Sequence, residues 1–451
     1  MKEIPNIIDM KDLFNRTCGI YIPSFFSMKI DSLSFGENMT DRELSLFIHE
    51  YIHFLQNITT LHGLERMNSD FCVLMHMINW LRENDEKPIS IPLSDTILSD
   101  MTRNNQDISK LSWGDFEEIK NYDIIDIVLD PCNAIQIDEY RTVESVIIKY
   151  RTNDTEEDIC SFGAREIYEG MAYLIEQHIT KDFESSPDFP YNTAYKVAEF
   201  FYPTLANDYR NILVLCDKAL MFSNPALEFV EMIKWIKEIE FIPKSPDELY
   251  YFLEQNWKIY DINVKVDYLD NFKRLAEDVK SNMHIILNDK YFNDYHIWID
   301  TIINYAITIR THMPLFWIDI VDHGYVKHNA VFQSILHSAG SPLIETKRHE
   351  YHFITPNGCE DSTCLVYFKV FNQIFRILSM GDLQCNLMPW CNNTLNFVNV
   401  DSTCHKCPWN HPQKEGLLCT FKGIWQHWGL NNVKMQKGKN DTETVYTSNN
   451  T

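Results

Sequence analysis

At 451 residues, with 45% hydrophobic, 13% aromatic and 23% charged residues, the chain is long enough for two or three domains and has the balance of a folded globular protein, which excludes a disordered class. Its formal net charge of −24 argues against a nucleic-acid partner, because affinity for phosphates depends on clustered Lys and Arg. Apolar runs such as Met313-Pro314-Leu315-Phe316-Trp317-Ile318 fall far short of the roughly 20 residues that cross a bilayer, so no membrane partner is expected.

Residues 1–12 lack the uninterrupted apolar core and small-residue cleavage site of a signal peptide. The expected location is therefore cytoplasmic, and the twelve cysteines are expected as reduced thiols or metal ligands. Gly19-Ile20-Tyr21-Ile22-Pro23 and the stretch 27–33 alternate as strands do. Thr40-Asp41-Arg42-Glu43 then forms a capping box, and Leu44, Phe47, Ile48, Tyr51, Ile52 and Leu55 recur at helical spacing, which predicts a buried amphipathic helix over 40–56.

That helix carries His49-Glu50-Tyr51-Ile52-His53, an H-E-x-x-H string. Residues at i and i+4 share a helical face, so both imidazoles can bind one zinc ion while Glu50 reaches water on the metal. Neutral nitrogen ligands leave the ion electrophilic enough to lower the pKa of its water to roughly 7, and a glutamate can take that proton as general base. The bland alternative is a pair of core histidines bonded to backbone carbonyls. A catalytic site needs a third protein ligand. Gln56, Thr59 and Thr60 occupy the stretch in which a nearby third histidine would stand, so the ligand is expected from elsewhere, with glutamate the leading type.

Further along, 69–82 reads as helix, and 123–129 and 143–151 read as strands. Next comes Arg165-Glu166-Ile167-Tyr168-Glu169-Gly170-Met171-Ala172-Tyr173-Leu174-Ile175-Glu176. Its E-G-x-A order, with Glu176 seven residues beyond Glu169, resembles the third-ligand helix of the aminopeptidase-like gluzincin metallopeptidases. The resemblance covers about 40–56 and 162–177. It implies a zincin-like core, Glu169 as third zinc ligand beside His49 and His53, and a sheet edge near the cleft that pairs with substrate backbone. Gly170 and Ala172 would let this helix lie close to the motif helix. Glu166 and Glu176 remain candidates for an acceptor of a histidine Nδ1–H, a salt-bridge partner or a solvated face. The oxyanion donor is unassigned, with Tyr168, Tyr173 and His178 nearby in sequence. The step of 116 positions from His53 to Glu169 implies an inserted subdomain. No G-x-M-E-N motif precedes the helix, so exopeptidase specificity does not carry over.

From about 194 to 311 the pattern is helical, with starts at Asn224-Pro225 and Ser245-Pro246-Asp247-Glu248. His349 and His352 flank Glu350-Tyr351 at a spacing that fits no second zinc motif. Seven of the twelve cysteines lie between Cys359 and Cys419. Cys404 and Cys407 form a C-x-x-C knuckle flanked by Cys391 and Cys419, a set suited to a structural zinc ion, with Cys385 able to replace Cys391. Packed thiols and a redox pair are the alternatives.

The expected fold is α+β and predominantly helical: a zincin-like catalytic core over 1–185 with an insertion at about 68–160, a helical domain over 186–325, a mixed α/β cysteine-rich region over 326–433 and a disordered tail over 434–451. The expected function is a zinc-dependent peptidase, endopeptidase action being slightly favoured. Its partner would be a peptide or protein substrate, and the helical or cysteine-rich region could hold a protein partner. The alternative is a metal-stabilised interaction or regulatory protein with an inactive or closed site.

Overall fold

A computed structural model describes residues 19–115, 118–136, 142–153, 157–181, 186–261, 264–394, 400–412, 419–437 and 445–446. The architecture is α+β and predominantly helical, with several small sheets. Strands β1 (Gly19–Ile22) and β2 (Ser27–Ile30) form an antiparallel hairpin. Helix α1 (Asp41–Thr59) follows, and the expected capping box is in place: the Thr40 hydroxyl accepts from the Glu43 N–H at 3.2 Å, and Glu43 accepts from the Thr40 N–H at 2.9 Å. Ser32 also donates to Glu43 at 2.7 Å, which ties the hairpin exit to the helix start. These bonds, the Thr40 N–H first, hold the Glu43 carboxyl down at about 2 against the penalty of partial burial.

Thr60 ends α1 and caps α2 (Leu61–Glu83) by accepting from the Gly63 N–H. Then come β3 (Ile89–Ile91), α3 (Asp100–Trp113), and the antiparallel sheet of β4 (Asp123–Gln136), β5 (Thr142–Arg151) and β6 (Asp158–Phe162). This sheet occupies the gap between the two motif segments. Helix α4 (Ala164–Ile179) carries Glu169 and packs along α1.

The next stretch is largely helical. Among its elements are α5 (Thr193–Phe201), α6 (Tyr209–Ala219), α7 (Pro225–Glu238) and α8 (Pro246–Asn256), the last two starting at the expected Asn224 and Ser245. A small hairpin of β7 (Ile259–Asp261) and β8 (Val264–Val266) interrupts before α9 (Tyr268–Ile286), α10 (Asn293–His312), α11 (Phe316–Asp322) and α12 (Ala330–Ala339). A short hairpin is invisible to helical periodicity because it spans less than one amphipathic repeat. Buried Arg310 on α10 forks onto Asp217 of α6 at 2.8 and 2.6 Å and also donates to the Thr59 carbonyl, so the helical stretch is bonded to the end of α1.

Strand β9 (Leu343–Glu345) returns to the first hairpin and pairs in parallel with β2, and β10 (Tyr351–His352) completes the order β1-β2-β9-β10. The third sequence segment thus shares a sheet with the first, and one buried core runs from Tyr21 to Met435. Helices α13 (Leu365–Met380), α14 (Met388–Thr394) and α15 (Thr420–His427) follow. Strand β11 (Met435–Lys437), in the stretch assigned to a disordered tail, pairs in parallel with β3 and antiparallel with β12 (Val445–Tyr446). Met435 is fully buried there, a single apolar contact that a polar composition conceals. Among the described residues no helix is long and apolar enough to cross a membrane.

Candidate metal centre

Glu50, His49 and His53 sit on α1, whose other face is anchored by fully buried Tyr51, Ile52, Phe54 and Leu55. Glu169 comes from α4. The His49 Nε2 atom lies 3.0 Å from Glu169 Oε2 and 3.2 Å from His53 Nε2, and the third side, His53 Nε2 to Glu169 Oε2, is 3.4 Å. Ligand bonds of about 2.0–2.1 Å put the corners of a tetrahedral zinc site about 3.3 Å apart. The three atoms therefore mark one face of a tetrahedron of the right size, and the residues could hold a metal ion.

Both outer ring nitrogens are engaged. His49 Nδ1 meets Glu176 Oε2 at 2.9 Å, and His53 Nδ1 meets Gln56 Oε1 at 2.8 Å. Each partner is itself held: Ser45 donates to Glu176 Oε1 at 2.6 Å, and Gln56 donates to the Tyr168 carbonyl at 3.1 Å. Fixing Nδ1 as donor leaves Nε2 as the lone-pair nitrogen, the state a ligand needs. Gln56, which the sequence ruled out as a metal ligand, acts on the centre through His53.

Burial works to lower the His49 pKa, but the bonds to Glu169 and Glu176 outweigh it and hold the ring well above 6.5. Burial likewise raises Glu169, and the charges of His53 and His49 overcome it, leaving the carboxyl well below its ordinary value. The cluster thus holds positive charge at its centre, and a divalent cation would displace the proton there.

Glu50 is 6% exposed. Burial, partly offset by the two histidines, pushes its carboxyl up to about 7. The Tyr21 N–H on β1 donates to it. Gly19 makes this approach possible, since a Cβ there would stand 2.6 Å from Glu50 Oε1. Two other residues of the Glu169 helix serve its packing and capping instead. Glu166 accepts from the Gly163 N–H at 2.7 Å, capping α4 away from the centre. Gly170 faces Ala194 and the Tyr191 carbonyl, where a Cβ would sit 3.2 Å from Ala194 Cβ; its smallness serves the packing of α4 on the start of α5 and not on α1.

The tyrosine at the centre is Tyr191. Its ring packs against His49 at 5.8 Å and against Tyr173 at 5.7 Å. Burial, and after it the nearby charges of Glu169 and Glu50, raise its phenol well above 10, so it keeps its proton and remains a donor. Tyr168 instead meets His62 at 3.1 Å, and His178 stacks on Tyr209. Tyr191 follows Ser186-Pro187 and Phe189-Pro190, two X-Pro pairs after the Glu169 helix that signal a turn in the chain.

Comparison with protein-family models, with curated proteins and with solved structures finds no match to the chain.

In the C-terminal region, Asp401, Cys404 and His411 form a second group that could hold a metal ion, with ligand atoms within 4.8 Å of one another. Burial first, and then the thiols of Cys419 and Cys404, raise Cys391 to about 12. Cys385 feels Cys419, Cys404 and Cys391 in the same way, and its N–H donates to the Cys404 carbonyl at 2.8 Å. Cys407 turns toward Asn410 and Asp401. Cys404 is the member common to both neighbourhoods.

Proposed function

We propose that the chain is a zinc-dependent peptidase of gluzincin type. The observation that carries this reading is the triangle of His49 Nε2, His53 Nε2 and Glu169 Oε2, with sides of 3.0, 3.2 and 3.4 Å. Zinc bound there would supply Lewis acidity toward water and the scissile carbonyl. His49 and His53 would bind through Nε2, and Glu176 and Gln56 would fix the rings. Glu50, held by the Tyr21 N–H, would take the proton of the attacking water and pass it to the leaving amine. Burial raises the affinity of this carboxyl for the proton it would hold between the two transfers. Tyr191 would donate to the carbonyl oxygen as negative charge develops on it. Edge strand β1 passes behind Glu50 and would align an extended peptide by backbone pairing.

The alternative of a closed regulatory site is less well supported. Glu169 is 21% exposed, which leaves the centre within reach of solvent, and a purely structural ion has no use for a buried general base beside it. A second, structural zinc ion held through Cys404 fits the same reading. Its ligands would be drawn from Asp401, His411, Cys385, Cys391, Cys407 and Cys419.

The test is peptide cleavage on a mixed peptide library by the wild type and by Glu50→Gln, both loaded with zinc. Cleavage lost in the variant while zinc is retained supports the reading. Equal cleavage by both, or none by either across endopeptidase and exopeptidase substrates, refutes it.

A further inference from the structure

The sheet that backs Glu50 has a second face, and that face is a wall of a different cavity. Tyr21 on β1 points toward α1, where its hydroxyl donates to Asn57 at 2.9 Å, and its cross-strand neighbour Met28 is fully buried on the same side. Strand alternation therefore turns Ile22, Ser27 and Lys29 to the opposite face. There they line a cavity of about 770 Å³, within the range of small-molecule sites. Its remaining walls come from β9, the chain after it, α13, and the segment around Cys385 to Asn392.

The charge of this cavity runs against that of the molecule. The chain carries 64 acidic and 40 basic residues, yet the lining has four cations, Lys29, Arg348, Lys369 and Arg376, against two carboxylates, Glu345 and Asp382. Both carboxylates are already neutralised. Glu345 is held by Lys369 at 2.5 Å and by His349 at 2.7 Å, and Asp382 by Arg376 at 2.7 Å. Among the described residues no carboxylate lies within ion-pair distance of Lys29 or Arg348, and Arg348 is exposed. The amides of Asn372, Gln384, Asn386 and Asn392 add hydrogen-bonding groups, while Ile22, Met388 and Pro389 supply an apolar patch. Lys29, opposite Glu345 across β2 and β9, and exposed Arg348 thus give this partly enclosed cavity a local excess of positive charge over its two ion-paired carboxylates.

We propose that this cavity binds a ligand bearing two or more carboxylate or phosphate groups. Lys29 and Arg348 would engage the acidic groups, and the ion-paired Lys369 and Arg376 would hold the walls in position. The source is either a free small polyanion or the acidic side chains of a peptide. The second is geometrically open because Ile22, at the cavity, lies three residues along β1 from Gly19, about 10 Å. The proposal does not depend on the metal centre being catalytic.

The experiment is calorimetric titration of the full chain at low salt with inorganic pyrophosphate, with tricarballylate, and with a Glu-rich peptide beside its Gln-rich counterpart. Saturable binding of at least one of the three acidic probes is expected, weakened at least tenfold by Lys29→Gln with Arg348→Gln and unchanged by His53→Ala. Binding of the Glu-rich peptide alone assigns the source as peptide, and binding of the small anions assigns it as a free ligand. Should the double variant melt early, Arg348→Gln, a change at an exposed position, serves alone. Four outcomes overturn the proposal: no saturation by any probe up to about 10 mM (roughly 2.7 kcal/mol), equal affinity for the Gln-rich peptide, binding that survives loss of the cations, or binding that vanishes with His53→Ala.

Discussion

Removing Glu176 should weaken zinc binding without touching the ion. Its Oε2 atom lies 2.9 Å from His49 Nδ1, and its Oε1 atom is fixed by Ser45 at 2.6 Å, so the ring is held by a carboxylate that is itself held. Loss of a partner in this position costs typically 10- to 100-fold in metal affinity, or about 1.4–2.8 kcal/mol. Ser45→Ala leaves the carboxylate in place and removes one bond to it, worth about 1.5–3 kcal/mol in all, of which only the part that orients His49 reaches the metal, so the loss should be smaller than that of Glu176 itself. Glu169→Ala deletes a ligand outright and should exceed both. Glu166→Ala, which uncaps α4 away from the centre, should lower the melting temperature and leave the affinity of the surviving folded protein near wild type. Competition against a chromophoric chelator orders the four variants in one assay. The order Glu169 > Glu176 > Ser45 > Glu166 is expected. A Glu166 loss equal to that of Glu176, or a Glu176 loss below twofold, would refute the assignment of Glu176 as the residue that orients His49.

Tyr191→Phe should lower kcat by roughly 10²–10³, the cost of one oxyanion donor, with zinc content unchanged; a loss of zinc instead would make the ring a packing element against His49. Glu166 has a pKa raised to about 8 by burial, against which Arg165 and the Gly163 N–H only partly act. A raised folded-state pKa contributes stability that is full below about 4.5 and lost as pH rises through about 8, so Glu166→Gln should flatten the fall in melting temperature across that window, and an unaltered slope would show that Arg165 keeps the group ionised. Cys404→Ser with Cys407→Ser should take zinc from about two ions per chain to about one while the His49 site stays loaded. Cys404→Ser alone should do the same, since Cys404 joins both sets of neighbours, whereas one ion in the wild type would leave these residues as packed thiols.

The local signals that survived into the structure are those written in short windows. The Thr40 box, the H-E-x-x-H face and the helix starts at Asn224 and Ser245 each depend on residues within a turn or two of one another, and there sequence spacing is spatial geometry. The meeting of Glu169 with the histidines was legible only through resemblance, because 116 positions and a three-stranded sheet separate them. Tyr191, the parallel pairing of β2 with β9, and the cation-lined cavity are products of tertiary return, in which residues more than 300 positions apart such as Lys29 and Arg348 come together. Gly170 shows the reverse error. Its small size was read correctly as permitting close approach, but periodicity does not name the neighbour, and the neighbour is Ala194. The cysteines illustrate the same limit, since spacing selected Cys404 with Cys407, while only folding adds Asp401 and His411 beside Cys404.

The central claim is that a zinc ion sits on the face defined by His49 Nε2, His53 Nε2 and Glu169 Oε2. Anomalous diffraction at the zinc edge on crystals of the zinc-loaded protein tests it most directly. The account predicts a peak about 2.0–2.2 Å from each of those three atoms, with a solvent oxygen completing the tetrahedron on the side of Glu50. A zinc-loaded crystal with no anomalous peak there, or with Glu166 or Glu176 as the bound carboxylate, would contradict it.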